Sequence, residues 1–97
     1  MTKAEIKEYL ENYGDKRTVA EFRRKQGDEN CIPVIVYKTI TECVESLPEE
    51  YSTIIQLHYI SKISLRELAK RMYMSRVAVT KRRDDALDMI ANCLSGL

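Results

Sequence analysis

Two short helical patterns follow each other closely in residues 64–87, and they constrain the fold more than any other feature. Ser64 and Glu67 form the S-x-x-E pattern of a helix start, and Ser75 is a capping residue for the second pattern. Apolar and small residues recur at helical spacing in both: Leu65, Leu68, Ala69 and Met72, then Val79, Ala86, Leu87 and Ile90. Because the gap is short and Ala69 permits close approach of the helices, the pair predicts a helix-turn-helix.

The remaining sequence also carries helix signals. Two T-x-x-E capping patterns begin helices in the first part of the chain, and a glycine is predicted to end each: Thr2, Glu5 and Gly14, then Thr18, Glu21 and Gly27. After a linker at residues 27–30, Pro33 and Pro48 each favour a new helix. The apolar run at residues 35–37 leaves a short strand open as an alternative. We therefore predict an all-α, multi-helix bundle with a C-terminal helix-turn-helix.

Several classes of protein are disfavoured by what the sequence lacks. No apolar run has the length of a transmembrane helix and the N-terminus has no apolar signal core, so a cytoplasmic protein without a membrane partner is expected. Cys31, Cys43 and Cys93 match neither a metal-ligand spacing nor a disulfide framework, and they are expected to be reduced thiols on or near helix faces. No phosphate-binding loop or nucleophile–base pair is present. We therefore predict no enzyme, no catalytic residue, no cofactor and no metal.

Charge is distributed unevenly along the chain. Residues 62–83 contain eight basic residues and one acidic residue, a net charge of +7, although the whole chain carries only +1. Residues 1–61 carry a net charge of −3. Residues 84–97 contain three acidic residues and no basic residue. A clustered basic segment on a helix-turn-helix is typical of a protein that neutralises DNA phosphates. A helical hairpin with solvated charges is the alternative.

A family resemblance extends over about residues 42–94. Its motifs are L-P-E-E at residues 47–50, L-H-Y at 57–59, S-L-R-E-L-A at 64–69, M-S-R-V-A-V at 74–79 and A-L at 86–87. In this order and spacing they resemble region 4 of bacterial sigma-70-type factors, and small phage and prophage regulators related to it are similar in size. The resemblance implies an all-helical fold without a winged part. It also implies a second helix of the pair that enters the DNA major groove, as sigma factors use this region to read the −35 promoter element.

Three residues depart from the pattern of that family. Tyr73 stands where the family usually has a glycine in the turn, and a non-glycine residue in a left-handed conformation costs roughly 1–2 kcal/mol. His58 stands where the family often has arginine, which weakens a phosphate contact at that position. Arg83 replaces a usually apolar residue, so an outward shift of the last helix is expected there.

Residue-by-residue transfer from the family predicts the DNA contacts. Base contacts are predicted for four residues near the start of the last helix: Arg76, Val77, Thr80 and Lys81. Phosphate contacts are predicted for Arg66, Arg71, Ser75 and Arg82. An arginine can bond guanine through two hydrogen bonds, an apolar side chain can touch a thymine methyl group, and phosphate contacts fix position without reading sequence.

The sequence thus predicts a sequence-specific DNA-binding transcription regulator, of phage or mobile-element type, with double-stranded DNA as its partner. Two alternatives stay open: a sigma-like module that contacts RNA polymerase, and a protein-interaction module that has lost DNA binding.

We assign residues 1–30 to an N-terminal helical extension and residues 31–97 to the helix-turn-helix domain. Tyr9, Tyr13 and Phe22 in the extension need burial, so a homodimer through the N-terminal helices is a further hypothesis.

Overall fold

Residues 1–95 fold into six α-helices joined by short connections. The computed structural model describes residues 1–95. The helices are α1 (Lys3–Glu11), α2 (Tyr13–Lys25), α3 (Ile32–Ser46), α4 (Glu49–Ile55), α5 (Leu65–Arg71) and α6 (Arg76–Ser95). A π-helical segment, Gln56–Ile60, directly continues α4. No β-strand occurs in residues 1–95, so the predicted all-α class is confirmed and the strand alternative at residues 35–37 is wrong.

The first two helices are arranged differently from the prediction. The capping box at Thr2 is present, because its hydroxyl accepts from the Glu5 amide at 3.2 Å and the Glu5 carboxylate accepts from the Thr2 amide at 3.1 Å. However, α1 ends at Glu11, and Gly14 lies in the first turn of α2. Tyr13 at the start of α2 is buried, and its hydroxyl forms a hydrogen bond of 2.7 Å with the Thr41 hydroxyl.

The prediction that Thr18 begins a second helix is also wrong. Thr18 lies in the middle of α2, and its hydroxyl donates to the Gly14 carbonyl one turn earlier. Glu21 pairs instead with Arg17, at 3.1 Å on the same helix. A threonine can satisfy its hydroxyl within a helix in this way, so the T-x-x-E pattern does not by itself specify a helix start.

Gly27 ends α2 as predicted. Its φ angle is +81°, in the left-handed region that glycine adopts without a Cβ clash. The Gly27 amide donates to the Arg24 carbonyl at 2.9 Å and the Asp28 amide donates to the Arg23 carbonyl at 3.0 Å. These two bonds form a Schellman motif, which satisfies carbonyls at the end of the helix and turns the chain toward α3.

One large apolar core joins the N-terminal helices to the last helix. Ile6 and Leu10 of α1 are fully buried with Ile40 of α3 and with Leu87 and Ile90 of α6. The division into residues 1–30 and residues 31–97 stays a prediction, but α1 and α6 share this core. No helix among the described residues is long and apolar enough to cross a membrane.

Candidate nucleic-acid interface

The helix-turn-helix consists of α5, the turn at residues 72–75 and the N-terminal half of α6. Each helix begins at the predicted serine. The Ser64 hydroxyl accepts from the Glu67 amide at 3.2 Å, and the Ser75 hydroxyl accepts from the Ala78 amide at 3.1 Å. Both serines therefore satisfy backbone donors that a helix start leaves unpaired.

A second, smaller core holds the two helices together. Leu68 and Ala69 of α5 are buried against Val79 of α6 and Ile54 of α4. Leu57, Ile63, Leu65, Met72 and Met74 pack around these four residues. The predicted inward side chains Ala86, Leu87 and Ile90 are buried too, but in the larger core. The helix α6 therefore spans both cores, and its position is fixed along most of its length.

The turn contains a non-glycine residue in a left-handed conformation. Tyr73 has a φ angle of +53°, and its side chain is 97% exposed. The Met74 amide donates to the Ala69 carbonyl at 3.0 Å across this turn. Tyr73 thus has a left-handed backbone conformation, which a glycine adopts without a Cβ clash, and the turn carries local strain.

The four predicted base-contact residues lie together on one exposed face of α6. Arg76, Val77, Thr80 and Lys81 line a shallow groove of about 410 Å³, which Asp84 completes. Val77 is 80% exposed, so its methyl groups are accessible on this face. The Thr80 hydroxyl donates to the Arg76 carbonyl at 2.8 Å, so toward a ligand it offers only acceptor capacity.

The four predicted phosphate-contact residues lie on both helices, and two of them have acidic partners. Arg66 is exposed in the first turn of α5, and Ser75 keeps its hydroxyl proton available because it caps α6 as an acceptor. Arg71 lies 3.4 Å from the Glu67 carboxylate on α5. Arg82 reaches 3.2 Å from the Glu50 carboxylate on α4. No local sequence pattern predicts the pair of Arg82 with Glu50, because the two residues are 32 positions apart.

Arg83 does not shift α6 outward, contrary to the expectation. Its side chain is only 16% exposed, and its guanidinium bonds the Asp84 carboxylate at 2.9 Å. Asp84 thus pairs with its neighbour in sequence, Arg83. Burial raises the pKa of Tyr59, and the positive charge of Arg83 nearby opposes part of that shift. The apolar stem of Arg83 therefore fills a largely buried position while its charge is neutralised locally.

His58 has a structural role inside the π-helical segment. Its ring is half-buried, and Nδ1 lies 2.8 Å from the Ile63 carbonyl oxygen. This contact holds the connection between α4 and α5, where Lys62 has a φ angle of +60°. The Lys62 ammonium donates to the Glu11 carbonyl at the end of α1, at 2.6 Å. Sequence reasoning missed both contacts, because neither has a local pattern.

The family comparison agrees with this geometry. The family model described as Sigma-70, region 4 matches residues 37–90, which is more than half of the chain. The chain belongs to the sigma-70 region 4 family. No curated protein and no solved structure matches it.

The sigma-70 region 4 match includes α5, the turn and the groove-bearing half of α6. Membership indicates a role in DNA binding or in regulation connected with RNA polymerase. Within residues 1–95, no group of three or more His, Cys, Asp or Glu side chains is placed to hold a metal ion. The exposed basic face of the helix-turn-helix is therefore the candidate functional site.

Proposed function

We propose that this sigma-70 region 4 protein is a sequence-specific DNA-binding transcription regulator that inserts the N-terminal half of α6 into the DNA major groove. The observation that carries this proposal is the exposed face on which Arg76, Val77, Thr80 and Lys81 lie together. A helix fits the major groove, where each base pair presents a distinct set of donors and acceptors. This half of α6 is held rigidly by the smaller core beneath it.

Each of the four side chains has a distinct chemical contribution. Arg76 and Lys81 donate hydrogen bonds, and guanine edges are their preferred acceptors. Thr80 accepts, which suits the amino group of adenine or cytosine, and Val77 presents methyl groups suited to thymine. Around them, Arg66, Arg71, Ser75 and Arg82 contact phosphates and fix the position of α6. No catalytic step is part of this proposal.

Selection of duplex DNA from a random pool tests the proposal. We expect an enriched motif, and affinity for it should fall steeply as the salt concentration rises because phosphate contacts release counterions. Replacing Arg76 and Lys81 together by alanine should reduce affinity for the motif at least tenfold, since each base contact carries about 1–3 kcal/mol. The matched control replaces Arg24 and Lys25 by alanine, which removes the same charge from α2, outside the helix-turn-helix. Failure to bind DNA at low salt would refute the proposal.

Contact with RNA polymerase is a second candidate function. Family membership is the observation that favours it, since sigma-70-type factors work as part of that enzyme. Co-purification of the chain with polymerase tests it, with a variant lacking the DNA-contacting side chains as the comparison. Retention of polymerase by the Arg76→Ala, Lys81→Ala variant would separate this function from DNA binding.

A protein-interaction role rests on a different surface. Val19, Phe22, Ile32 and Ile35 are exposed apolar residues of α2 and α3, and Phe22 is 59% exposed. Tyr13 is buried and Tyr9 half-buried within the chain itself, so only Phe22 of the three N-terminal aromatics is left uncovered. A homodimer through these helices would place half-sites about one DNA turn apart. Sedimentation of Phe22→Ser against the unaltered chain tests that arrangement.

The cellular setting is part of the same proposal. We place the chain in the cytoplasm, where DNA and polymerase are accessible in a bacterium, and we place its origin among phages or other mobile elements. The resemblance to small phage and prophage regulators supports this origin. The genes that neighbour its coding sequence test it, because a prophage regulator would lie among phage genes.

A further inference from the structure

Two cysteines that are 50 residues apart in sequence meet where α3 packs on α6. The Cys43 thiol donates a hydrogen bond to the Cys93 sulfur, and the two Sγ atoms are 2.7 Å apart. Sulfur atoms in a disulfide are about 2.05 Å apart, so a small side-chain movement separates this contact from a covalent bond. The third cysteine, Cys31, lies before α3, where its thiol donates to the Asp28 carbonyl.

The two thiols of the pair have different environments. Cys43 is 2% exposed and belongs to the larger core, whereas Cys93 is half-buried at its margin. Burial and the adjacent sulfur raise the pKa of Cys43 to about 12. Cys43 therefore remains a protonated thiol at neutral pH, and the partly accessible Cys93 is the sulfur that an oxidant in solution can reach.

We propose that Cys43 and Cys93 form an oxidation site, at which a peroxide converts the two thiols into an intramolecular disulfide. The proposal does not depend on DNA binding, because the site lies near the opposite end of α6 from the groove. With a rise of about 1.5 Å per residue, the 17 residues between Arg76 and Cys93 span about 25 Å. Inside cells such reversible disulfides are typical of redox-sensing pairs.

The chemistry proceeds in two balanced steps. The Cys93 thiol releases its proton, the thiolate attacks one oxygen of hydrogen peroxide, and the O–O bond breaks. The departing hydroxide takes up a proton, so a sulfenic acid and one water form. The Cys43 sulfur then attacks the sulfenic sulfur, loses its proton to the departing hydroxide and releases a second water. Two thiols are oxidised by two electrons in total, and one peroxide is reduced to two waters. A small dithiol restores both thiols by exchange.

The disulfide has a predictable consequence for the fold. It would connect α3 directly to the last helix and close a loop of about 50 residues, which restricts the unfolded chain strongly. Because the crosslink joins side chains that already touch, the native structure changes little. We therefore expect oxidation to raise the melting temperature while the DNA affinity of the chain stays within about twofold.

Mass spectrometry of the full chain in a Cys31→Ser background tests the oxidation site. We expect peroxide to remove two hydrogen masses from the monomer and to abolish both remaining thiols together. The melting temperature should rise by about 10 °C or more and should return when dithiothreitol is added. Peptide mapping without reduction should recover one peptide pair joined through Cys43 and Cys93.

Two variants provide the controls. Cys93→Ser and Cys43→Ala, each in the Cys31→Ser background, should show no loss of hydrogen mass and no gain in melting temperature with peroxide. The Cys93 change is at a half-buried position, so this control remains available if the Cys43 change prevents folding. Oxidation of Cys93 to a sulfinic acid with Cys43 still free would overturn the proposal. So would disulfides found only between two chains.

Discussion

Tyr73 stores strain in the turn between α5 and α6. It is exposed, so its side chain gains little from packing that could offset the left-handed backbone. We predict that Tyr73→Gly raises the free energy of unfolding by about 1 kcal/mol, because glycine adopts this conformation without a Cβ clash. Urea unfolding measures the change.

Lys62 provides the matched comparison for Tyr73. It has nearly the same positive φ angle, but its ammonium donates to the Glu11 carbonyl. Lys62→Gly removes that bond together with the strain. The free energy of unfolding should therefore rise less for Lys62→Gly than for Tyr73→Gly. Equal gains at both positions would show that the Lys62 bond contributes nothing to stability.

Tyr59 has a buried hydroxyl with no polar partner among the described residues. Removing an unsatisfied buried polar group relieves its desolvation penalty. We predict that Tyr59→Phe leaves the free energy of unfolding unchanged or raises it by up to about 1 kcal/mol. Tyr13→Phe should instead lower it by about 1 kcal/mol, because the Tyr13 hydroxyl bonds Thr41. Thermal or urea unfolding of the two variants distinguishes the two tyrosines, and a clear loss for Tyr59→Phe would indicate a partner for its hydroxyl.

At the scale of elements, the ion pair between Arg82 and Glu50 links α6 to α4 and competes with DNA for the guanidinium. Glu50→Gln frees Arg82 and removes a negative charge, so we predict tighter DNA binding by about threefold to tenfold at low salt. Stability should change by less than about 1 kcal/mol because both side chains are substantially exposed. Binding titrations at two salt concentrations measure the effect.

Glu49→Gln is the matched control for the Arg82 pair. Glu49 is exposed in the same first turn of α4 and makes no ion pair within residues 1–95. Its replacement removes the same charge without freeing Arg82. If both variants tighten binding equally, the gain comes from net charge, and Arg82 is not a phosphate contact.

At the scale of the whole molecule, α1 contributes to the core that positions α6. Leu10 is fully buried there, so Leu10→Ala should lower the free energy of unfolding by about 2–5 kcal/mol. Val19→Ala on α2 is the control. Because Val19 is 47% exposed, this change should lower the free energy of unfolding much less. A small effect of Leu10→Ala would mean that residues 1–30 form a dispensable extension.

Alkaline pH should destabilise the whole fold through two tyrosines. Burial raises the pKa of Tyr9 and of Tyr13 from the ordinary value of 10.0 to about 12. Their contribution to stability is complete below pH 10, where both are neutral in either state, and is lost as pH rises toward 12 because only the unfolded chain ionises readily. Urea unfolding across this range should show a falling free energy, and the variant with both tyrosines changed to phenylalanine should show a shallower fall.

Local sequence determined most of the helix-turn-helix. The caps at Ser64 and Ser75, the buried stripe of α5 and the exposed face of α6 all depend on residues a few positions apart, where backbone hydrogen bonding and helical periodicity decide the outcome. The capping patterns at the N-terminus were less informative. Thr2 begins a helix, whereas Thr18 satisfies its hydroxyl inside one, although both belong to the same T-x-x-E pattern.

Only the tertiary structure decided which distant residues meet. The Arg82–Glu50 ion pair, the Lys62 contact with α1 and the thiol contact between Cys43 and Cys93 each join residues more than 30 positions apart. Such contacts depend on how the helices cross, and crossing follows from the packing of both cores rather than from any local pattern. The sequence by itself therefore determined the helix-turn-helix and its basic charge, while packing decided how α6 is held and which thiols can react.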